Sequence, residues 1–274
     1  SVGGDTLTEL FVQARKNEQI KAVVLRVDSP GGSAFASEVI RQEIALTKEQ
    51  GIPVVVSMGS VAASGGYWIA MGANEVWASP TTITGSIGVF GIIPTFEDSL
   101  EALGVHSDGV GTTELSDFYQ LNRPMSPQAK QVVQAGVDHV YDRFLSIVAE
   151  ARKSTTNQVH QVAQGRVWTG EKALELGLID KLGNLQQAID AAATLAELDR
   201  YDVEPVSKPL NFREQLMQEI ANGQVGVMVS ALPKSWLPSS LISNLYGFSK
   251  KLELFTQFND PRGMYLNCFE CMNQ

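Results

Sequence analysis

Two short stretches hold residue types that could do chemistry together: Ser29-Pro30-Gly31-Gly32-Ser33 and Ala62-Ala63-Ser64-Gly65-Gly66. Each follows an apolar run, Ala22-Val23-Val24-Leu25-Arg26-Val27 before the first and Ile52-Pro53-Val54-Val55-Val56 before the second. A β-branched run closed by small residues reads as a buried strand that breaks into a sharp turn, with a helix beyond it. In the first turn consecutive glycines carry no Cβ, so backbone N–H groups can approach a ligand closely, and the helix that follows adds the positive end of its dipole. Those are the parts of an oxyanion hole. In the second turn Ser64 presents a hydroxyl, a nucleophile if a base stands beside it. Donors aimed at a developing oxyanion are worth about 3 kcal/mol. Small residues also gather wherever a strand and a helix pack closely, so each stretch alone has a structural reading; the pair is much harder to explain that way.

The elements that must position these turns follow from the pattern along the chain. Apolar spacing predicts a helix over 7–12, a strand over 22–27, a helix over 36–49, a strand over 52–57, a short helix to Met71 and a strand over 75–78. Strand, helix, strand, helix, strand calls for an α/β fold with a mainly parallel sheet covered by helices. Parallel sheets gather functional groups at the carboxyl ends of their strands, so both turns should lie on one edge. Gly85 to Phe90 reads as extended. Ser126-Pro127 opens a long helix to Arg152, and further helices cover 170–176 and 185–197.

Composition narrows the function classes. The chain has 274 residues, 44% of them hydrophobic and 19% charged, with 21 Lys and Arg against 30 Asp and Glu, a formal net charge of −9. Beyond Lys250-Lys251 there is no basic cluster, so nucleic acid would be repelled. No apolar run reaches the roughly 18–20 residues that cross a bilayer, and the first residues lack the basic and apolar regions of a signal peptide. The chain is therefore expected to be soluble, with an upstream segment removed before Ser1. His106, His139 and His160 are scattered, and Cys268 and Cys271 have no further ligands nearby, so neither a metal nor a cofactor is expected. The two thiols could tie down the tail. After Tyr201 the composition changes, which suggests a domain over 1–200 and an extension over 201–274. Within it, 223–258 carries Trp236, Leu237, Leu241, Ile242 and Leu245 among polar residues and reads as an oligomer contact.

"VVLRVDSPGGSAFASEVI", "VVVSMGSVAASGGYWIA", "GSIGVFG" and "GRVWTGEKALELGLIDKLG" resemble, in order and spacing, the motifs of the signal peptide peptidase A family, serine proteases with the Clp-protease/crotonase fold of repeated β-β-α units. The resemblance covers roughly residues 3–200. The tail "FNDPRGMYLNC" is similar to that of the double-length form of the family, in which two related halves follow a membrane anchor, and this chain resembles the C-terminal half. The resemblance implies a serine–lysine dyad with Ser64 as nucleophile and Gly31, Gly32 and Gly65 at the oxyanion hole. It implies a strand at Ser86, Ile87 and Gly88 where an extended peptide could pair. It further implies apolar signal-peptide remnants as substrates, a homo-oligomer, and a place on the periplasmic side of the bacterial inner membrane through an anchor outside this chain.

The lysine departs from that pattern. The family's base falls in a Gly-x-Tyr-Lys stretch upstream of a Met-Ser-Pro helix start, and the matching stretch here is Gly111-Thr112-Thr113-Glu114-Leu115, before Pro124-Met125-Ser126-Pro127. A carboxylate at Glu114 cannot be that base. The resemblance therefore implies that the base comes from the other, N-terminal half. Lys130 and Lys172 are the nearest lysines within the chain, both at helical positions that read as solvated. Two other readings remain open: a crotonase-like acyl-CoA enzyme, which would not need Ser64, and a non-catalytic module that completes an assembly.

Overall fold

Val54-Val55-Val56 begins the central strand of the molecule, β3 (Val54–Ala63), and all three valines are fully buried. A strand buried on both faces reads as a continuous apolar run because helices cover each side of a parallel sheet. β1 (Val23–Ser29) pairs parallel to it from Val23↔Val54 to Val27↔Met58. β4 (Glu75–Ala78) pairs with its first half on the other side, and β5 (Ile83–Gly85) with its last residues, Val61 to Ala63, both in parallel. β7 (Val167–Thr169) adds antiparallel to β5, and β8 (Lys181–Leu182) parallel to β4. The computed structural model describes residues 3–113, 115–116, 118, 120–207, 264–267 and 271.

This is the α/β class expected, a mainly parallel sheet under helices. β3 outruns the strand expected over 52–57 by continuing through Met58-Gly59-Ser60 to Ala63. The extension is held by side chains: Thr82 Oγ1 donates to the Gly59 carbonyl at 2.8 Å, Thr84 Oγ1 to the Ala62 carbonyl at 2.7 Å, and the Val61 N–H donates to Asp28 at 3.1 Å. At the same level the β1 register shifts between Val27 and Ser29, so that Ser29 lies opposite Ala62. A bulge of that kind re-aims the chain where a strand leaves its sheet.

Helices α1 (Gly4–Lys16) and α2 (Ala34–Glu49) pack together through Phe11, Ile40 and Ile44 over Val54. α5 (Pro127–Ala151) starts where Ser126 accepts a bond from the Ala129 N–H, with Pro127 at its first position. Its Phe144 ring lies 4.7 Å from Trp68 and 6.5 Å from Tyr67, which fixes α5 against the short α3 (Gly65–Ala70). Tyr67 is fully buried, and its hydroxyl donates to the Leu178 carbonyl at 2.7 Å. That burial, together with the nearby charge of Asp180, pushes the phenol well above its ordinary pKa against the opposing pull of Arg152. α6 (Thr156–Val162), α7 (Gly170–Glu175) and α8 (Leu185–Leu195) complete the cover, while α4 (Glu97–Ala102) sits in an exposed stretch.

A second sheet has the order β2 (Gly31–Ser33), β9 (Met264–Asn267), β6 (Phe90–Gly91), antiparallel throughout. Contacts divide the chain into two compact units, Val2–Tyr201 with Asn259–Gln274, and Asp202–Phe258 with Ser1. Of the expected extension over 201–274, residues 201–207, 264–267 and 271 are described, and β9 lies among them. The 223–258 segment, with Trp236 and the expected oligomer contact, lies outside the described residues. So does Cys268, whereas Cys271 is disulfide-bonded and buried against Ala63. Among the described residues no helix is long and apolar enough to cross a membrane.

Candidate active site

Ser64 stands between β3 and α3 with φ 52° and ψ −112°. For a residue with a side chain this is a sparsely populated conformation that costs about 1–3 kcal/mol, and such strain persists only where surroundings over-determine it. Here they do. The Ser64 N–H donates to the Gly85 carbonyl at 2.8 Å, and its carbonyl accepts from the Trp68 N–H at 2.8 Å. The residue is fully buried, and its Oγ has no hydrogen-bond partner among the described residues. A buried unpaired hydroxyl on a strained turn is a second cost that packing alone does not explain.

The glycine loop lies against this turn. Gly31 has φ 117°, a left-handed conformation suited to glycine, and its N–H donates to Ser29 Oγ at 3.2 Å. Ser33 then caps α2 by accepting from the Ala36 N–H at 3.1 Å, and Ser37 Oγ donates back to the Ser33 carbonyl at 2.9 Å. Gly65 touches this assembly directly: a Cβ built on it would lie 2.7 Å from Ser37 Oγ and 3.1 Å from the Gly32 amide nitrogen. Only glycine permits that approach. As the first residue of α3, Gly65 has an N–H with no acceptor within the helix. Gly32 and Gly65 therefore bring two backbone amides beside Ser64, while Gly31 spends its own on Ser29.

One carboxylate ties the two turns together. Glu38 on α2 accepts from the Trp68 indole N–H at 2.7 Å, from Arg41 at 2.8 and 2.9 Å and from Gln42 at 2.9 Å, with Arg143 at 3.6 Å. Burial alone would raise its pKa, but the bonds from Arg41, Gln42 and Trp68 outweigh burial and hold it down at about 2. Sequence reading missed Glu38, because a glutamate on a helix face looks solvated until its partners on α3 and α5 are in place.

The other expected residues divide. Ser86 and Ile87 are buried, and their backbone is engaged by the neighbouring loop: the Ser86 N–H donates to the Arg166 carbonyl at 2.8 Å, and the Ile87 carbonyl accepts from the Gly165 N–H at 3.0 Å. Gly88 follows them toward β6, and it is Phe90–Gly91 that pairs with an extended strand. Lys130 and Lys172 are exposed, and Lys172 pairs with Glu175. Neither bonds Ser64. Glu114 lies outside the described residues. His160 bonds Tyr141 and Gln164, and among the described residues no group of His, Cys, Asp or Glu is arranged to hold a metal. The arrangement can place a carbonyl carbon before Ser64 Oγ with its oxygen toward backbone amides, the geometry of acyl transfer.

The family model described as Peptidase family S49 matches residues 46–199, more than half of the chain. Protease 4 of Salmonella typhi is 44% identical over 273 residues, 100% of this chain and 44% of that protein. Protease 4 of Haemophilus influenzae is 40% identical over 278 residues, 99% of this chain and 44% of that protein. The chloroplastic serine protease SPPA of Arabidopsis thaliana is 34% identical over 227 residues, covering 81% of this chain and 33% of that protein. The chain thus spans less than half the length of these relatives. Among solved structures, a ClpP1 mutant from Listeria monocytogenes is similar with a TM-score of 0.43 and 15% identity over 68% of this chain and 86% of that one.

Proposed function

This chain belongs to peptidase family S49, and from that premise we propose that it supplies the nucleophile and oxyanion hole of a serine peptidase whose general base is a lysine outside it. Ser64 Oγ attacks the carbonyl of an extended, apolar peptide such as a cleaved signal peptide. The amides of Gly32 and Gly65 receive the negative charge that develops on the carbonyl oxygen, where preformed donors are worth more than water because they need no reorganisation. The lysine takes the hydroxyl proton. It must be neutral to do so, which burial among apolar groups achieves by penalising its ammonium form.

The observation that carries this reading is the conformation of Ser64, strained at φ 52° with a buried, unpartnered hydroxyl beside the Gly32 loop. A lysine reaching that hydroxyl from a second, similar half would complete the pair, in keeping with a chain that spans 44% of its Protease 4 relatives. Assembly into a homo-oligomer on the periplasmic face of a membrane belongs to the same proposal. It is supported by exposed apolar side chains between residues 96 and 121, among them Phe96, Leu103, Val105 and Val110.

The test is a serine-directed acylating probe applied to the full-length protein. Labelling of the parent and none of Ser64→Ala supports the assignment. Equal labelling of both removes Ser64 from the mechanism, and hydrolysis of an acyl-CoA that survives Ser64→Ala would replace the peptidase reading with a crotonase-like one.

A further inference from the structure

Just before they reach the two turns, β1 and β3 fall out of step. They pair residue for residue from Val23↔Val54 to Val27↔Met58, and the next pair is Ser29↔Ala62. Asp28 therefore stands alone opposite Gly59, Ser60 and Val61. A strand with residues that its neighbour cannot match bends there, and the amides it loops out lose their ladder partners.

The Asp28 side chain fills that gap. Its Oδ1 accepts from the Val61 N–H at 3.1 Å, a bond that a strand carbonyl supplies in an unbroken ladder. Its Cγ and Oδ2 lie so close to Gly59 that a Cβ built there would be 2.5 Å from both. A side chain at Gly59 and the present position of this carboxylate exclude each other. On the opposite edge Thr82 and Thr84, both buried, donate to the Gly59 and Ala62 carbonyls and so hold β3 to β5. On the β1 edge, among the described residues, the side-chain link to Gly59, Ser60 and Val61 is the bond to Asp28.

Beyond the gap the two chains meet again, and there the reacting groups stand. Ser29 lies opposite Ala62, shortly before Ser64. The Ser29 carbonyl oxygen is 2.9 Å from a Cβ built on Gly66, and the Gly32 amide nitrogen 3.1 Å from one built on Gly65. The Ser29↔Ala62 pair thus sets the glycine loop against the Ser64 turn, and the length of β3 looped out ahead of it decides that pair. A slip of one residue would carry Ser64 about 3.3 Å along the strand, away from those amides.

We infer that Asp28 is a positioning residue for the reaction at Ser64: its carboxylate oxygen holds Val61 in the looped-out register and so fixes the place of Ser64 Oγ relative to the Gly32 and Gly65 amides. The inference rests on the peptidase reading for the reaction that the register serves. Asp28 acts only through β3. What it supplies is an acceptor oxygen at one point, so asparagine, whose amide oxygen can accept the same bond, replaces it, whereas alanine does not.

The test compares full-length Asp28→Ala, Asp28→Asn and Gly59→Ala with the parent on an apolar fluorogenic peptide, well below their melting temperatures. The rate at which an acylating probe labels Ser64 is measured alongside. A misplacement on the order of 1 Å between reacting groups costs about a hundredfold, and the partial displacement in Asp28→Ala should lower kcat and the labelling rate about tenfold with KM within about twofold. Asp28→Asn should return to within about threefold of the parent, because it restores the acceptor. Gly59→Ala drives the carboxylate off Val61, so it should lower kcat in the parent and cost less when added to Asp28→Ala. A lower melting temperature with unchanged kcat, or equal losses in Asp28→Ala and Asp28→Asn, overturns the inference. Should Asp28→Ala not fold, Gly59→Ala decides, and unchanged kcat and labelling again overturn it. Labelling at the parent rate in all three variants sinks the positioning role and leaves the peptidase. A parent that the probe does not label sinks the peptidase reading, and the positioning role with it.

Discussion

The Trp68 indole N–H donates to the Glu38 carboxylate at 2.7 Å, and that bond joins the helix that begins at the Ser64 turn to the helix that begins at the glycine loop. Hydrogen bonds to a charged partner contribute about 1.5–3 kcal/mol. Glu38→Gln keeps the shape and loses the charge that Arg41 and Arg143 also use. It should lower the melting temperature and, because it frees α3 relative to α2, lower kcat for peptide cleavage more than it raises KM. Unchanged melting and kinetics would show that the two turns are held without this carboxylate.

Glu38 also gives the stability a defined pH dependence. Its folded pKa of about 2 lies below the ordinary 4.5, so the unfolded chain takes up the proton first as pH falls. The stabilisation is present above about 4.5 and is lost as pH drops toward 2. Melting measured across that window should fall more steeply for the parent than for Glu38→Gln. Parallel curves would contradict the depressed carboxylate.

Gly65→Ala tests the close approach of the turns. Alanine is the better helix former, by about 1 kcal/mol, yet its Cβ would meet Ser37 Oγ at 2.7 Å and the Gly32 nitrogen at 3.1 Å. Ser37 is buried and bonded to the Ser33 carbonyl, so the glycine loop must move instead. A displacement on the order of 1 Å at reacting groups costs about a hundredfold in rate. Circular dichroism should show a folded protein, and peptide hydrolysis should fall by roughly that factor.

Ser64→Ala should be no less stable than the parent. The substitution removes a buried hydroxyl that has no partner among the described residues, a desolvation cost of about 1–3 kcal/mol, and leaves the backbone strain unchanged. Activity and stability then move in opposite directions at one atom. A marked fall in melting temperature would mean that the hydroxyl has a structural bond.

The positions of these residues differ in how legible they were in the sequence. The strand, turn and helix around Ser64 are written locally: the valine run, the small residues and the helical spacing beyond them lie within one contiguous stretch. The α/β class follows from that alternation repeated. Glu38 was hidden because its partners come from α2, α3 and α5, and no local pattern marks a helix-face glutamate as half-buried. β2, β6 and β9 were hidden for a related reason. Strands of two to four residues carry almost no periodicity, and Met264–Asn267 becomes a strand only because it meets Gly31–Ser33 and Phe90–Gly91. The family resemblance implies a peptide-pairing strand at Ser86, Ile87 and Gly88; in the structure the backbone of Ser86 and Ile87 bonds to 165–166, and Phe90–Gly91 pairs with β9.

The exposed apolar side chains between 96 and 121 predict self-association of the complete protein. Sedimentation at micromolar concentration should give a single oligomer, and Leu103→Glu with Val110→Glu should shift it toward smaller species. A monodisperse monomer of the unmodified full-length protein would remove the homo-oligomer from the account.

The central claim is that Ser64 acts with a base that this chain does not supply. Hydrolysis of one apolar fluorogenic peptide should therefore be compared between residues 1–274 alone, the full-length protein, and the full-length protein in which the lysine of the other half's Gly-x-Tyr-Lys stretch is changed to Ala. The account predicts activity in the full-length protein, near-zero rates in the other two, and in every case dependence of the residual rate on Ser64. If residues 1–274 alone cleave the peptide at the full-length rate, the base lies within the chain, and Lys130 and Lys172 return as candidates despite their exposure.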